Sequence, residues 1–278
     1  MPNMVKTTVL LGLLTGIFLA VGQLIGGDQG MATALGLAII MNLGSYWFSA
    51  KIVLAMHRAT QATSATHPEL IQMVQRLAHR AQLPMPKVYI VPSASPNAFA
   101  TGRNPDNAVV AFSEGILSAL TPAQLSGVAA HELAHIKNRD ILISSIAACI
   151  AGAISMLANM AQWAMIFGRR DDRNENPIGM LIAIIVTPIA ATLIQMAISR
   201  SREYQADAIG AQIHGNPEDL ASALATLHHI NDIQPADVPT PAVAHMYIVS
   251  PLSGRSLLQL FSTHPPVEDR IARLRQRS

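Results

Sequence analysis

Four long stretches of this chain carry no charged residue, and they set its organisation. They run from Thr7 to Ile25, Met31 to Ala50, Ile141 to Gly168 and Pro177 to Ser199. A helix needs about 20 apolar residues to cross a bilayer, so each run is long enough to span. Only Gly26-Gly27-Asp28-Gln29-Gly30 separates the first two, which predicts a helical hairpin. So short a turn into a second span argues against a cleaved leader, although Lys6 precedes the first run. Arg169 to Asn176 is a charge-balanced turn between the third and fourth runs, and Pro188 predicts a kink in the last.

The polar remainder shows other periods. Leu70, Ile71, Val74, Leu77 and Ala78 recur at helical spacing within Glu69 to Gln82, and Pro84-Met85-Pro86 stops them. Lys87 to Val91 and Ala108 to Phe112 are short, β-branched and aromatic, which predicts two strands of a small sheet. Thr60 to Pro68 is polar and is expected to be a linker. Thr121, Pro122 and Gln124 form a helix-start signature ahead of an alanine-rich run. Further helices are predicted from Ser201 to a stop at Gly215-Asn216-Pro217, after Pro217, and over Val267 to Arg275.

Composition agrees with a membrane protein. Half of the 278 residues are hydrophobic, only 13% are charged, and mean hydropathy is positive. Soluble domains carry about a quarter charged residues. A net charge of +2 with no basic block is too small to suggest nucleic acid, and no such partner is expected. Cys149 is the single cysteine, so no intrachain disulfide exists and a packing role is expected. Lys6 flanks the first span, Lys51 and Arg58 flank the second, and Arg200 and Arg202 follow the fourth. The positive-inside rule then puts the N-terminus and the polar segments in the cytoplasm, with Tyr46 and Trp47 as interfacial anchors.

The alanine-rich run contains His131-Glu132-Leu133-Ala134-His135. On a helix the two imidazoles lie one turn apart on one face and can grip a single metal ion. Glu132 is angularly offset, better placed beside a metal-bound water than as a ligand. His131, Glu132 and His135 are the only strongly polar side chains for two turns, and an unpaired polar group among apolar neighbours is costly. A third ligand has to come from elsewhere. Glu203 and Asp207 share one face of a later helix. One division of labour puts Glu203 on the metal and Asp207 on the free ring nitrogen of a ligand histidine. The alternative pairs Glu203 with Arg202 or Arg200 on a solvated face.

His131 to Asp140, an apolar hairpin, and then Arg202-Glu203-Tyr204-Gln205-Ala206-Asp207 together resemble the HtpX family of bacterial membrane zinc metalloproteases. Asn97-Ala98-Phe99-Ala100-Thr101-Gly102 and Phe261-Ser262-Thr263-His264-Pro265-Pro266 match the same family, and CAAX prenyl proteases are broader relatives. The resemblance implies an integral, multi-pass protein of the bacterial inner (plasma) membrane with one zinc ion facing the cytoplasm. It implies His131, His135 and Glu203 as zinc ligands and Glu132 as general base. Its substrates would be damaged or unfolded polypeptides, especially membrane proteins. It also offers Asn97 as a binder of substrate backbone, and His264, beside Pro265-Pro266, is the candidate donor to the developing oxyanion.

The expected fold is a mostly α membrane protein, with four apolar transmembrane helices and a cytoplasmic zincin-type α+β catalytic domain containing a small β-sheet. Residues 1–55 would form the first hairpin and 56–140 the first part of the catalytic domain. The second hairpin would be 141–199, and 200–278 would complete the domain with the third ligand. A prenyl-protein protease and a non-hydrolytic membrane zinc-binding protein are the alternatives. Against zinc transport, the proposed ligands flank the apolar spans instead of lying within them. The remaining histidines, His57, His67, His79, His214, His228, His229 and His245, are expected in surface or packing roles.

Overall fold

A computed structural model of the protein describes residues 3–149, 200–233, 247–248 and 265–276. Residues 150–199, which hold most of the predicted second hairpin, lie outside the described residues, and so does His264. The architecture is mostly helical with one small mixed sheet.

Helix α1, Asn3–Met56, breaks at Gly26 and Gly27, where the backbone leaves helical angles and Gly27 takes φ 56°. Its two halves fold against each other as the short glycine turn predicts. Asn42 Nδ2 donates to Thr15 Oγ1 at 2.9 Å, and a Cβ on Gly22 would meet Gly30 O at 2.6 Å. The second half, Gly26–Met56, is 31 residues and is the one helix among the described residues long and apolar enough to cross a membrane. Leu37, Ile40, Leu43 and Phe48 on it are exposed. A soluble protein rarely leaves so continuous an apolar surface bare, and a bilayer is the surface that would cover it.

The sheet has the order β1 (Thr60–Gln61), β2 (Lys87–Val91), β4 (Val109–Ser113), β3 (Ala98–Thr101). Strands β2 and β4 are parallel and the other two pairs antiparallel, leaving β3 on an edge among the described residues. The predicted linker therefore contributes a strand at Thr60 and Gln61, paired with Ile90 and Tyr89. β4 is buried on both faces. Val109 and Ala111 pack toward Val53 and Leu54 of α1, while Val110 and Phe112 face the helices on the other side of the sheet.

Helix α2, Pro68–Ala81, ends on Gln82 in the left-handed conformation and buries Leu70, Val74, Leu77 and Ala78. Ser113 caps the short helix α3, Glu114–Ala119, before α4, Pro122–Lys137. The start of α4 carries the expected reciprocal cap. Thr121 Oγ1 accepts from Gln124 N at 3.3 Å, and Gln124 Oε1 accepts from Thr121 N at 3.0 Å. Helix α5 begins at residue 141 and is described to residue 149, where Cys149 is buried and unpaired in any disulfide. Helices α6, Arg200–His214, α7, Pro217–Ile233, and α8, Val267–Arg275, close the domain around α4.

Two glycines set how closely these helices approach. A Cβ on Gly210 would lie 2.9 Å from His131 Cα and N, and one on Gly127 would lie 2.9 Å from Leu220 N. Only hydrogen at Gly210 lets α6 lie against α4 at the level of His131. Asp207 and Glu203, one turn and two turns earlier on the same face of α6, are thereby brought against His131 and His135.

Candidate metal centre

Alanines around the motif make α4 a buried central helix, so His131 and Glu132 are nearly inaccessible and His135 is the more open of the three. The Nε2 atoms of His131 and His135 face each other at 3.2 Å, with the ring planes at 89°. Glu203 completes a triangle from α6. Its Oε1 is 3.6 Å from His135 Nε2, and its Oε2 is 3.7 Å from His131 Nε2. These three residues form the only described group of His, Cys, Asp or Glu side chains close enough to hold a metal ion.

The other ring nitrogens are both turned to carboxylates. His131 Nδ1 lies 3.0 Å from Asp207 Oδ1, obliquely, and His135 Nδ1 lies 3.2 Å from Asp140 Oδ2. A carboxylate at Nδ1 draws the ring proton there and leaves Nε2 as a lone pair. With both rings neutral, two lone pairs and a carboxylate converge in a buried space, an arrangement that repels itself unless a cation sits among them, either a metal ion or, without one, a proton on His135. The spacing fits that cation. Bonds of about 2.0–2.1 Å to a tetrahedral zinc set ligand–ligand edges of about 3.3 Å, close to the 3.2, 3.6 and 3.7 Å found here.

Burial and charge tune each group. Burial lowers the pKa of His131, against the pull of Asp207. Burial also acts to lower His135, but Glu203, Asp140 and Glu132 outweigh it and lift its pKa to about 9. Burial pushes Glu132 up to about 7, partly offset by His135 and by a hydrogen bond from the Ala100 backbone. Glu132 is thus tied to strand β3 and lines the same cavity as the two histidines. A cavity of about 50 Å³ is lined by Phe99, Ala100, Glu132, the two histidines and Glu203.

The second layer holds two residues that the sequence did not single out. Arg270 of α8 is completely buried. Its Nε and Nη2 donate to the two oxygens of Asp207 at 2.8 and 2.7 Å, and Nη1 donates to Ile248 O at 2.8 Å. Burial works against ionisation of Asp207, but Arg270 and His131 hold its pKa at about 2. The available signal was Arg270's place within the apolar stripe Val267, Ile271 and Leu274. The other residue is Asp140, presented just past the α4 C-terminus by Arg139 at φ 57°. Arg202 Nη1 approaches Asp140 at 3.9 Å, so Arg202 faces inward.

Asn97 is buried just before β3. Its backbone N–H donates to Ser113 Oγ at 2.8 Å, and its Oδ1 accepts from Ile248 N at 3.2 Å. Asn97 and Arg270 together therefore hold both backbone groups of Ile248, next to Tyr247 in the cavity wall.

A buried His-Glu-x-x-His helix facing a distant carboxylate defines a metallopeptidase site, and the sequence comparison agrees. The model of peptidase family M48 matches residues 64–278, and this chain belongs to that family. It is a membrane metalloprotease of the HtpX group. The chain is 53% identical over 280 residues to a protease HtpX homolog of Syntrophobacter fumaroxidans, covering 99% of each chain. It is 58% identical over 278 residues to one of Desulfatibacillum aliphaticivorans, covering 99% of this chain and 89% of the relative. Among solved structures it resembles S. mikatae Ste24p, with TM-score 0.52 and 19% identity, over 98% of this chain and 65% of that one. At that identity the likeness concerns the fold.

Proposed function

We propose that the chain is a zinc-dependent endopeptidase in which His131, His135 and Glu203 bind one zinc ion and Glu132 is the general base. The supporting observation is the convergence of two Nε2 atoms and one carboxylate at 3.2 to 3.7 Å, each ring oriented by its own carboxylate. Zinc held by three protein donors leaves a position for water and lowers that water's pKa to roughly 7.

The chain's own residues do the rest. Asp207 and Asp140 orient the two imidazoles, and Arg270 keeps Asp207 ionised. Glu132, buried and poised near neutrality, takes a proton from the attacking water and returns it to the leaving amine. Strand β3 is the sheet edge beside Glu132, and an extended substrate would pair along it by backbone hydrogen bonds. Asn97 supports that edge, and His264 remains the sequence's candidate for a donor to the oxyanion.

The same proposal gives the protein four membrane crossings, with the site at the cytoplasmic face of the bacterial inner membrane. The bare apolar face of Gly26–Met56 and the basic residues flanking the apolar runs support it. Unfolded or damaged membrane polypeptides are the substrates expected there. Glu132→Gln separates catalysis from binding: the variant should keep about one zinc per chain and lose cleavage of a model membrane protein in detergent. Unchanged cleavage would refute the base.

A further inference from the structure

A second cavity, of about 650 Å³, adjoins the catalytic one between the end of α1, the segment after β2 and the start of β3. Phe99 and Tyr247 form a wall common to both. His57 lines it and is only 5% exposed, its ring lying on Phe99 with centroids 4.8 Å apart. Its Nε2 has no hydrogen-bond partner among the described residues. Leaving a buried ring nitrogen unpaired is costly, and such groups in native proteins point to a missing partner.

The chemistry around it selects that partner. Arg58 lines the same cavity, is exposed, and makes no ion pair among the described residues. It stands at φ 51°, where glycine would fit a helix end more easily, so a side chain is kept at some strain. The remaining lining includes the hydroxyls of Ser93 and Ser95 and no Asp or Glu. The cavity therefore offers one cation and several hydrogen-bonding groups, with no anion to balance them.

We propose that this cavity is a substrate subsite that takes an acidic side chain, with Arg58 and His57 as its specificity-determining residues. The proposal rests on the peptidase reading given above. Burial lowers the His57 pKa to about 4, so the ring is neutral at pH 7. Its tautomer with Nε2–H donates to a carboxylate oxygen, while Arg58 supplies the charge. Along β3, Ala100 lines the catalytic cavity and Asn97 lines this one. A substrate strand rising about 3.3 Å per residue beside β3 would place the acidic residue about three positions from the scissile bond.

The test uses the full chain, zinc-loaded in detergent, and peptides that differ only by Glu, Gln, Leu or Lys at each position flanking the cut. At one position kcat/KM should favour Glu over Lys by about tenfold or more. Arg58→Glu should reverse that order. His57→Phe, which keeps the ring on Phe99, should reduce the Glu-over-Leu ratio in protein that still binds zinc. If His57→Phe does not fold, the exposed Arg58→Glu decides alone. Cleavage without discrimination, or an unaltered preference in Arg58→Glu, overturns the subsite while the peptidase reading stands. Failure of the zinc-loaded wild type to cleave any peptide or model membrane protein overturns both.

Discussion

Asp207 touches His131 on one side and Arg270 on the other, at 3.0 and 2.7 Å from the same oxygen, Oδ1. One carboxylate thus links the catalytic helix to the C-terminal helix. Without the guanidinium, Asp207 and Glu203 would be two buried anions one helical turn apart. Removing one partner of such a buried pair costs about 3–5 kcal/mol, so Arg270→Met should lower the melting temperature sharply and weaken zinc binding. A melting curve and a zinc titration check both. The pH dependence follows from the depressed pKa of Asp207. Its stabilisation is fully present above the ordinary aspartate range and is lost as pH falls toward about 2. The destabilisation by Arg270→Met should therefore be largest near neutral pH and shrink as pH falls through the aspartate range toward about 2.

Asp140 does for His135 what Asp207 does for His131, but from a turn and with a more distant cation, Arg202 at 3.9 Å. Asp140→Asn keeps the size and removes the charge that draws the proton to Nδ1. Zinc affinity should fall about 10- to 100-fold, as for other residues behind metal-bound histidines. Competition with a chromophoric chelator measures it, and unchanged affinity would remove Asp140 from the site.

Metal uptake should release protons. In the metal-free chain His135 holds its proton up to about pH 9, bridging toward His131 Nε2 at 3.2 Å. A ligand imidazole has to be neutral. Zinc binding at pH 7 should then expel about one proton from His135, seen calorimetrically in two buffers of different ionisation enthalpy. The raised pKa also sets a sign for the metal-free protein. Its stabilising contribution is complete below the ordinary histidine pKa and disappears as pH rises through about 9.

Gly210→Ala should push α6 away from α4, because its Cβ would meet His131 backbone at 2.9 Å. A cost of about 1–3 kcal/mol is typical of such overpacking, together with weakened zinc binding as Glu203 moves off the histidines. Gly36→Ala, where nothing lies within 4 Å, is the control and should leave the zinc titration unchanged.

Much of the site was legible because its parts are periodic. His131 and His135 at one-turn spacing, the Thr121–Gln124 cap and the Glu203–Asp207 pair are local patterns, and all three lie on the helices expected. Strand β3 was not legible. Ala98-Phe99-Ala100-Thr101 has little β-branched character, and it is a strand because β4 lies beside it. The two residues of β1 were hidden in a polar linker for the same reason. His57, expected in a packing or surface role, becomes informative only beside a cavity wall and an unanswered ring nitrogen.

Left to itself, the sequence determined the helices, their caps, the apolar runs and which side chains have metal-binding chemistry, since each depends on residues within a turn or two of one another. Tertiary structure decided the pairing of Asp207 with His131, Asp140 with His135 and Arg270 with Asp207, and the order of the sheet. Asp140 and His135 are only five residues apart and meet across the turn that ends α4. The other contacts join residues distant in the chain, and their geometry depends on how closely two helices pack, which here turns on the single missing side chain of Gly210.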